Sequence, residues 1–188
     1  APAPDLEVSS VTVPDTATAG SAISIDFTVE NSGSASATGS TWRDKVYLST
    51  SAVWDSSNAT LLANNQRVLA LAQGANYSIT NSVTLNTGQA AGTYYIYVYT
   101  DEEDNIYEHG NEGNNVTRSA AFHINPYPPV DLTVTTLTAP DSANSGDPIT
   151  VFWTVENIGQ ATTLAANWRD AAFISSDTIF AVSYTHLR

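Results

Sequence analysis

The stretch from Thr100 to Asn115, "TDEEDNIYEHGNEGNN", gathers the side chains best suited to chemistry: six of its sixteen residues are carboxylates, and His109 sits among them. Oxygen donors at this density fit three jobs. Ca2+ takes six to eight oxygens from carboxylates, amide carbonyls and backbone, and Asp101, Asp104, Asn105, Glu108, Glu112 and Asn114 are the candidate ligands. The spacing is not that of an EF-hand loop, which needs D-x-[DN]-x-[DN]-G and a distal Glu. A self-capped turn is the second job. Asp and Asn tolerate left-handed backbone and bond their own main chain, so a solvated acidic hairpin needs no ligand. A glycosidase pair is the third, and it requires two carboxylates across a sugar-sized cleft; neither a cleft nor an apolar pocket is legible around the loop. His109 has no Ser-His-Asp set or HExxH motif beside it and reads as an exposed polar residue. No catalytic set is present in the sequence, and the chain is expected not to be an enzyme.

Just before this loop, "GTYYIYVYTD" alternates. Tyr94, Ile96 and Val98 fall on one face, and Tyr95, Tyr97 and Tyr99 on the other. The second set forms an outward aromatic row, suited to stacking on sugar rings or to cross-strand pairing. "GTYY" fits the tyrosine corner of β-sandwiches, with Tyr94 as the corner residue. Within the loop "DNIYE" reads as a short strand with Ile106 inward, and the next strand starts near Val116.

The elements that must position these residues follow from period-two alternation. "LEVSSVTVP", "AISIDFTVE", "DKVYLST", "NYSITNSVTL", "GTYYIYVYTD" and "NVTRSAAFHI" read as strands, separated by Gly-, Asn- and Ser-rich turns. "LLANNQRVLALAQG" reads as a strand with loops rather than a helix. About seven short strands in roughly 120 residues predict an all-β, immunoglobulin-like antiparallel β-sandwich. The formal net charge is −13, from 19 acids against 6 bases. That excludes phosphate-directed nucleic-acid binding, which needs a basic patch, and disfavours an anionic membrane surface. There is no cysteine, so disulfides and thiolate metal sites are excluded, and no methionine, so the chain is expected to be a fragment or a processed form. No apolar run reaches the length of a membrane span.

The chain repeats itself. From Asp5 to Ser49, 19 of 45 residues recur identically 126 positions later, including Pro14 at Pro140, Asn31 at Asn157, Gly33 at Gly159 and Trp42-Arg43-Asp44 at Trp168-Arg169-Asp170. The recurring Trp-Arg-Asp is expected to be a packed indole followed by an Arg–Asp pair. A repeat of this length is a domain, not a solenoid unit. The expected organisation is a sandwich over residues 1–125, a proline-rich linker at 126–130 and the N-terminal half of a second sandwich at 131–180. Residues 181–188 form an unassigned tail that resembles a sequence artefact. The half-copy is expected to expose the apolar face that its missing strands would cover.

The ordered motifs "ISIDFTVENSGS", "WRDKVYLST" and "AGTYYIYVYTDEEDNIYEHGNEGNN" resemble the CARDB family, the cell-adhesion-related domain found in bacteria. The resemblance runs from Pro4 to Ile124, with half of a second copy after it. It implies tandem, secreted or cell-surface modules of large bacterial proteins with an adhesive or spacer role. Expected partners are neighbouring repeats and a surface protein or glycan. The alternative is a carbohydrate- or Ca2+-binding module serving a neighbouring enzyme; no cofactor other than Ca2+ is expected.

Overall fold

The computed structural model describes residues 2–68 and 70–176; the end of the expected half-copy, 177–180, and the tail at 181–188 lie outside them. The chain forms two compact units, Ala1–Tyr127 and Pro128–Arg188. In chain order the first runs β1 (Leu6–Thr12), β2 (Thr16–Thr18), β3 (Ala22–Asn31), β4 (Trp42–Ser49), β5 (Ala59–Arg67), β6 (Asn76–Thr84), β7 (Gly92–Thr100), β8 (Val116–Arg118) and β9 (Phe122–Asn125). The second contributes β10 (Leu132–Thr138) and β11 (Phe152–Asn157).

Alternation builds the first unit. In β3, Ile23, Ile25, Phe27 and Val29 are buried while Ala22, Ser24 and Asp26 are exposed. The strand lies between β1 and β6 in a three-stranded antiparallel sheet. The facing sheet runs β2-β9-β7-β4-β5, with β8 added to β7. Val46 and Leu48 of β4, Ile96 and Val98 of β7, and Phe122 and Ile124 of β9 meet the β3 row in one core. Each large apolar side chain buried there contributes roughly 1.5–3 kcal/mol. On one side the layers are joined by a reciprocal amide pair between Asn65 of β5 and Asn81 of β6, at 3.0 and 3.1 Å. The predicted corner forms: the Tyr94 hydroxyl donates to the Ala90 carbonyl at 2.9 Å.

Outside the acidic loop, the backbone departs from the sequence reading at three places. Strand β2 was not legible, and it pairs with β9 in parallel, so the sandwich is not wholly antiparallel. "NVTRSAAFHI" is two strands, because Ser119 takes over the ladder: its N–H donates to the Ile96 carbonyl at 2.8 Å and its hydroxyl accepts the Ile96 N–H at 3.0 Å. Tyr127 packs on the core of the first unit and against Gly20, so this unit reaches two residues past Asn125.

One side chain ties the leading segment down. Asn31 is fully buried. Its amide donates to the carbonyls of Ala35 (2.8 Å) and Leu71 (2.9 Å), and its Oδ1 accepts the N–H groups of Asp5 (3.1 Å) and Gly33 (3.2 Å). A Cβ on Gly33 would come within 2.5 Å of the backbone of Ala3, Pro4 and Asp5, so only glycine fits under the incoming chain.

The second unit repeats these details at the same offset. Strand β10 pairs with β11 as β1 pairs with β3, from Leu132↔Asn157 to Thr138↔Phe152, with its irregularity between Val134 and Thr136 where β1 has one between Val8 and Ser10. Asn157 donates to the Ala161 carbonyl at 2.7 Å and accepts the N–H groups of Asp131 and Gly159. Many of its apolar side chains are open: Val134 is 58% exposed against 4% for Val8, and Trp168 52% against 0% for Trp42. Asn31→Ala strands several buried backbone groups at once, each costing about 1–3 kcal/mol. It is expected to destabilise the first unit by about 2–4 kcal/mol, measured as urea unfolding followed by circular dichroism.

Candidate functional site

The acidic loop, residues 101–115, connects β7 to β8. Its neck is closed by the Thr100 N–H donating to the Asn115 carbonyl at 2.9 Å and the Asp101 N–H donating to the Arg43 carbonyl at 2.9 Å. Ile106 points inward as expected and packs with Leu6, Ala37, Trp42 and Leu71 in a second, smaller core. The expected strand over "DNIYE" does not form. Asp101 and Asp104 adopt left-handed backbone, with φ of 49° and 52°, and the Asp101 carboxylate accepts the N–H groups of Asn105 (3.0 Å) and Ile106 (2.7 Å). The chain is curled by its own side chain, which removes the N–H groups a strand would offer. His109 is exposed and lies against the Tyr107 ring at 4.9 Å.

The six candidate ligands separate into two groups. Asp101 is spent on backbone capping, and Asn105 is exposed, its amide directed to Glu103. Glu108, Glu112, Asn114 and Asp104 belong to one neighbourhood. Glu108 is 0% exposed; its Oε1 accepts the Leu6 N–H at 2.7 Å, and its Oε2 has no hydrogen-bond partner. Asn114 donates its amide to Asp5 at 2.8 Å, which leaves its buried Oδ1 without a partner. Asn115, read from sequence only as the start of the strand "NVTRSAAFHI", is fully buried. Its amide donates to Glu112 at 3.1 Å, and its Oδ1 is also unpartnered. Asp5 receives the amides of Asn111 (3.1 Å) and Asn114, a role the sequence did not signal. Among the described residues no group of three or more His, Asp or Glu is arranged to hold a metal ion. The donors that gather here are a mixture of carboxylate and amide oxygens.

The electrostatics agree with that crowding. Burial pushes the Glu108 carboxyl up to about 7, and the charges of Glu112 and Asp101 push the same way, against the Leu6 N–H and the Asn115 side chain. Burial and then the charge of Asp104 raise Glu112. Burial also raises Asp101. Among the described residues the ion pairs are Lys45 with Glu102 and Glu103, and Arg67 with Asp44; none reaches Asp104, Glu108 or Glu112.

The aromatic row is not open. Tyr97 is 3% exposed, its hydroxyl donates to the Ser51 carbonyl at 2.9 Å, and Trp54 lies across Tyr47, Tyr97 and Tyr99 with ring centroids 5.1–5.9 Å apart. Tyr95 is covered by the Arg118 guanidinium at 4.7 Å. The face reads correctly as outward, but the β4–β5 connection folds Trp54 back over it, a long-range contact that alternation does not encode.

The Trp-Arg-Asp motif also needs correcting. Trp42 is fully buried as expected, but Asp44 pairs with Arg67, at 3.1 Å, not with Arg43. Neighbouring strand residues point to opposite faces, and Arg43 reaches out to Asn64. Asp44 accepts from Arg67, Thr100 (2.8 Å) and the Tyr77 hydroxyl (2.9 Å), and Tyr77 in turn accepts the Trp42 indole N–H at 3.0 Å.

Two sheets closed over one core, with a tyrosine corner and a loop-borne cluster of oxygens, define an immunoglobulin-like β-sandwich module. The CARDB family model matches residues 3–119, and the chain belongs to the CARDB family. Among solved structures, the chain is similar to the CARDB domain of a Pyrococcus furiosus protein crystallised in complex with di-metal ions. The two share 24% identity at a TM-score of 0.50, over 65% of this chain and 90% of that one. A solution structure of the same P. furiosus domain matches at 27% identity and TM-score 0.48, over 64% of this chain and 94% of that one. A β-glucosidase of Listeria innocua matches at 19% identity and TM-score 0.41, over 67% of this chain and 16% of the enzyme. Among curated proteins none matches the chain.

The raised carboxyl groups make stability depend on pH. Glu108 holds its proton up to about 7 in the folded chain, against an ordinary value of 4.5. The folded state therefore binds the proton more tightly between those values. The stabilisation is complete below pH 4.5 and is lost as pH rises through about 7. In metal-free buffer the first unit is expected to melt at a higher temperature at pH 5 than at pH 7.5, and Glu108→Gln to narrow the difference; a melt series across that range checks both.

Proposed function

We propose that this chain is a non-catalytic adhesion or spacer segment of a large exported bacterial surface protein. It would hold one complete module and the first half of a second, arranged in tandem. One observation carries the reading: the pairing register, the bulge and the asparagine clasp of β1–β3 recur in β10–β11 at a constant offset of 126 residues. A chain that repeats its fold at this level uses the fold itself, as beads that set distance and bear contact, with neighbouring repeats and a surface protein or glycan as partners. The secreted or cell-surface setting is supported by the absence of cysteine, by the acidic surface and by the family.

A second reading is a ligand-binding module beside an enzyme, with a divalent cation as ligand. The observation that favours it is the set of buried oxygens without partners at the acidic loop. The P. furiosus CARDB domain crystallised with metal ions points the same way.

The spacer reading is tested by pulling on the chain in a single-molecule instrument. The first unit is expected to yield in one discrete event that releases roughly 40 nm, from about 3.3–3.6 Å per residue. Extension without a discrete event contradicts a spacer role. Turnover of glycoside or peptide substrates that Glu108→Gln abolishes contradicts the non-catalytic one.

A further inference from the structure

We propose that Glu108, Glu112, Asn114 and Asn115 form a site for a hard divalent cation of the Ca2+ class, and that filling it clamps the leading strand of the module to the acidic loop. This rests on the cation reading above and adds to it the donor set and a consequence.

Three oxygens carry the argument: Oε2 of Glu108, Oδ1 of Asn114 and Oδ1 of Asn115, all buried and without hydrogen-bond partners. Leaving such atoms unsatisfied is costly, and native structures rarely do so without a reason. Each is the remaining acceptor of a side chain whose other end is engaged, Glu108 by Leu6, Asn114 by Asp5 and Asn115 by Glu112. The amide orientations are therefore fixed by their donors, and the free atoms are acceptors. The side chains are neighbours: Asn115 lies against both Glu108 and Glu112. An occupant must accept electron pairs and neutralise carboxylates that no lysine or arginine reaches among the described residues. A cation does both. Carboxylate and amide oxygens without nitrogen or sulfur suit Ca2+, which accepts irregular geometry, better than transition metals.

The ligand set differs from the one the sequence offers. Asp101 drops out because both its oxygens cap the loop backbone, and Asp104 and Asn105 because they are exposed. Asn115 enters because the loop neck holds it inward.

The consequence follows from shared partners. Glu108 holds the Leu6 N–H, and Asn114 holds the Asp5 carboxylate. Asp5 and Leu6 are where the chain enters β1. A cation that fixes Glu108 and Asn114 fixes that junction too, so occupancy stiffens the point where a preceding segment meets the module.

The test uses the 188-residue chain and Ca2+ itself. Ca2+ at about 5 mM, above the 10⁻⁴–10⁻³ M dissociation constants common for extracellular modules, is expected to raise the melting temperature of the first unit by roughly 3–8 °C through mass action. Calorimetric titration is expected to show at least a tenfold loss of affinity in Glu108→Gln and in Glu112→Gln, and less than a twofold change in Glu103→Gln, whose carboxylate faces Lys45. Glu108→Gln keeps an acceptor for Leu6, and Glu112 is partly exposed, so both variants retain the fold; their circular dichroism verifies this. Hydrogen exchange at the Leu6 amide is expected to slow at least tenfold on adding Ca2+ to wild type. No binding by wild type at this concentration overturns both the cation reading and this inference. Binding that survives Glu108→Gln and Glu112→Gln leaves the reading standing and overturns the assignment. Binding without slower exchange at Leu6 overturns the clamp.

Discussion

The buried carboxylate of Asp44 is the constraint on which the rest of the first unit depends. It sits on β4 in the larger sheet, yet one of its donors, Tyr77, belongs to β6 in the smaller. A lone carboxylate taken out of water costs several kcal/mol, and burial duly pushes this one above its ordinary range. It is tolerated because Arg67, Thr100 and Tyr77 all donate to it. Four strands, β4, β5, β6 and β7, must come to fixed positions for those bonds to form together. The network thereby sets the two layers at one end of the sandwich and turns Trp42 into a floor, its indole N–H held by Tyr77.

On that floor the end of the module that carries the acidic loop is assembled. Leu6 and Ile106 pack on Trp42, one from the leading strand and one from the acidic loop. Their backbones then meet through side chains: Glu108 takes the Leu6 N–H, and Asp5 takes the amides of Asn111 and Asn114. The second unit separates what is local from what is not. Its Asn157 clasp forms with residues at most 26 positions away, whereas Trp168 stays half exposed. The clasp needs only the β10–β11 pair. Burial of the indole needs counterparts of Leu71, Tyr77 and Ile106, which lie 29 or more residues beyond Trp42 in the first unit.

That division explains what was legible in the sequence. Strands with clean alternation, β3, β6 and β7, were readable because period-two burial is a local property, and the tyrosine corner because its bond spans four residues. Ile106 was readable as inward for a similar reason, as the one aliphatic residue in the acidic stretch. What failed was every choice of partner across strands. Arg43 and Arg67 are equally good donors on paper, and only the β4–β5 register decides that Asp44 meets Arg67. Trp54 over Tyr97 and Ser119 in the β7 ladder are likewise settled by contacts tens of residues apart. In the candidate site, acidity was visible, but the difference between Asp101, turned to its own backbone, and Glu108, turned to a distant strand, was not.

The two most buried carboxylates of the fold show what separates a structural charge from a poised one. Asp44 and Glu108 are both fully withdrawn from solvent. Around Asp44 the chain supplies a guanidinium and two hydroxyls, and both of its oxygens are engaged. Around Glu108 it supplies one backbone N–H and the neighbouring Asn115 side chain, with Glu112 and Asp101 nearby rather than a base. The same fold is thus able to satisfy a buried carboxylate completely, and at the loop it does not. A hydroxyl in place of Asn114 or Asn115 could supply a rotatable donor to the vacant acceptors; amides held by Asp5 and Glu112 cannot turn to do so. Natural sequences break local rules of this kind mainly where function requires it. The incomplete shell of Glu108, set against the complete shell of Asp44 in the same module, is the physical difference on which the proposed cation site rests.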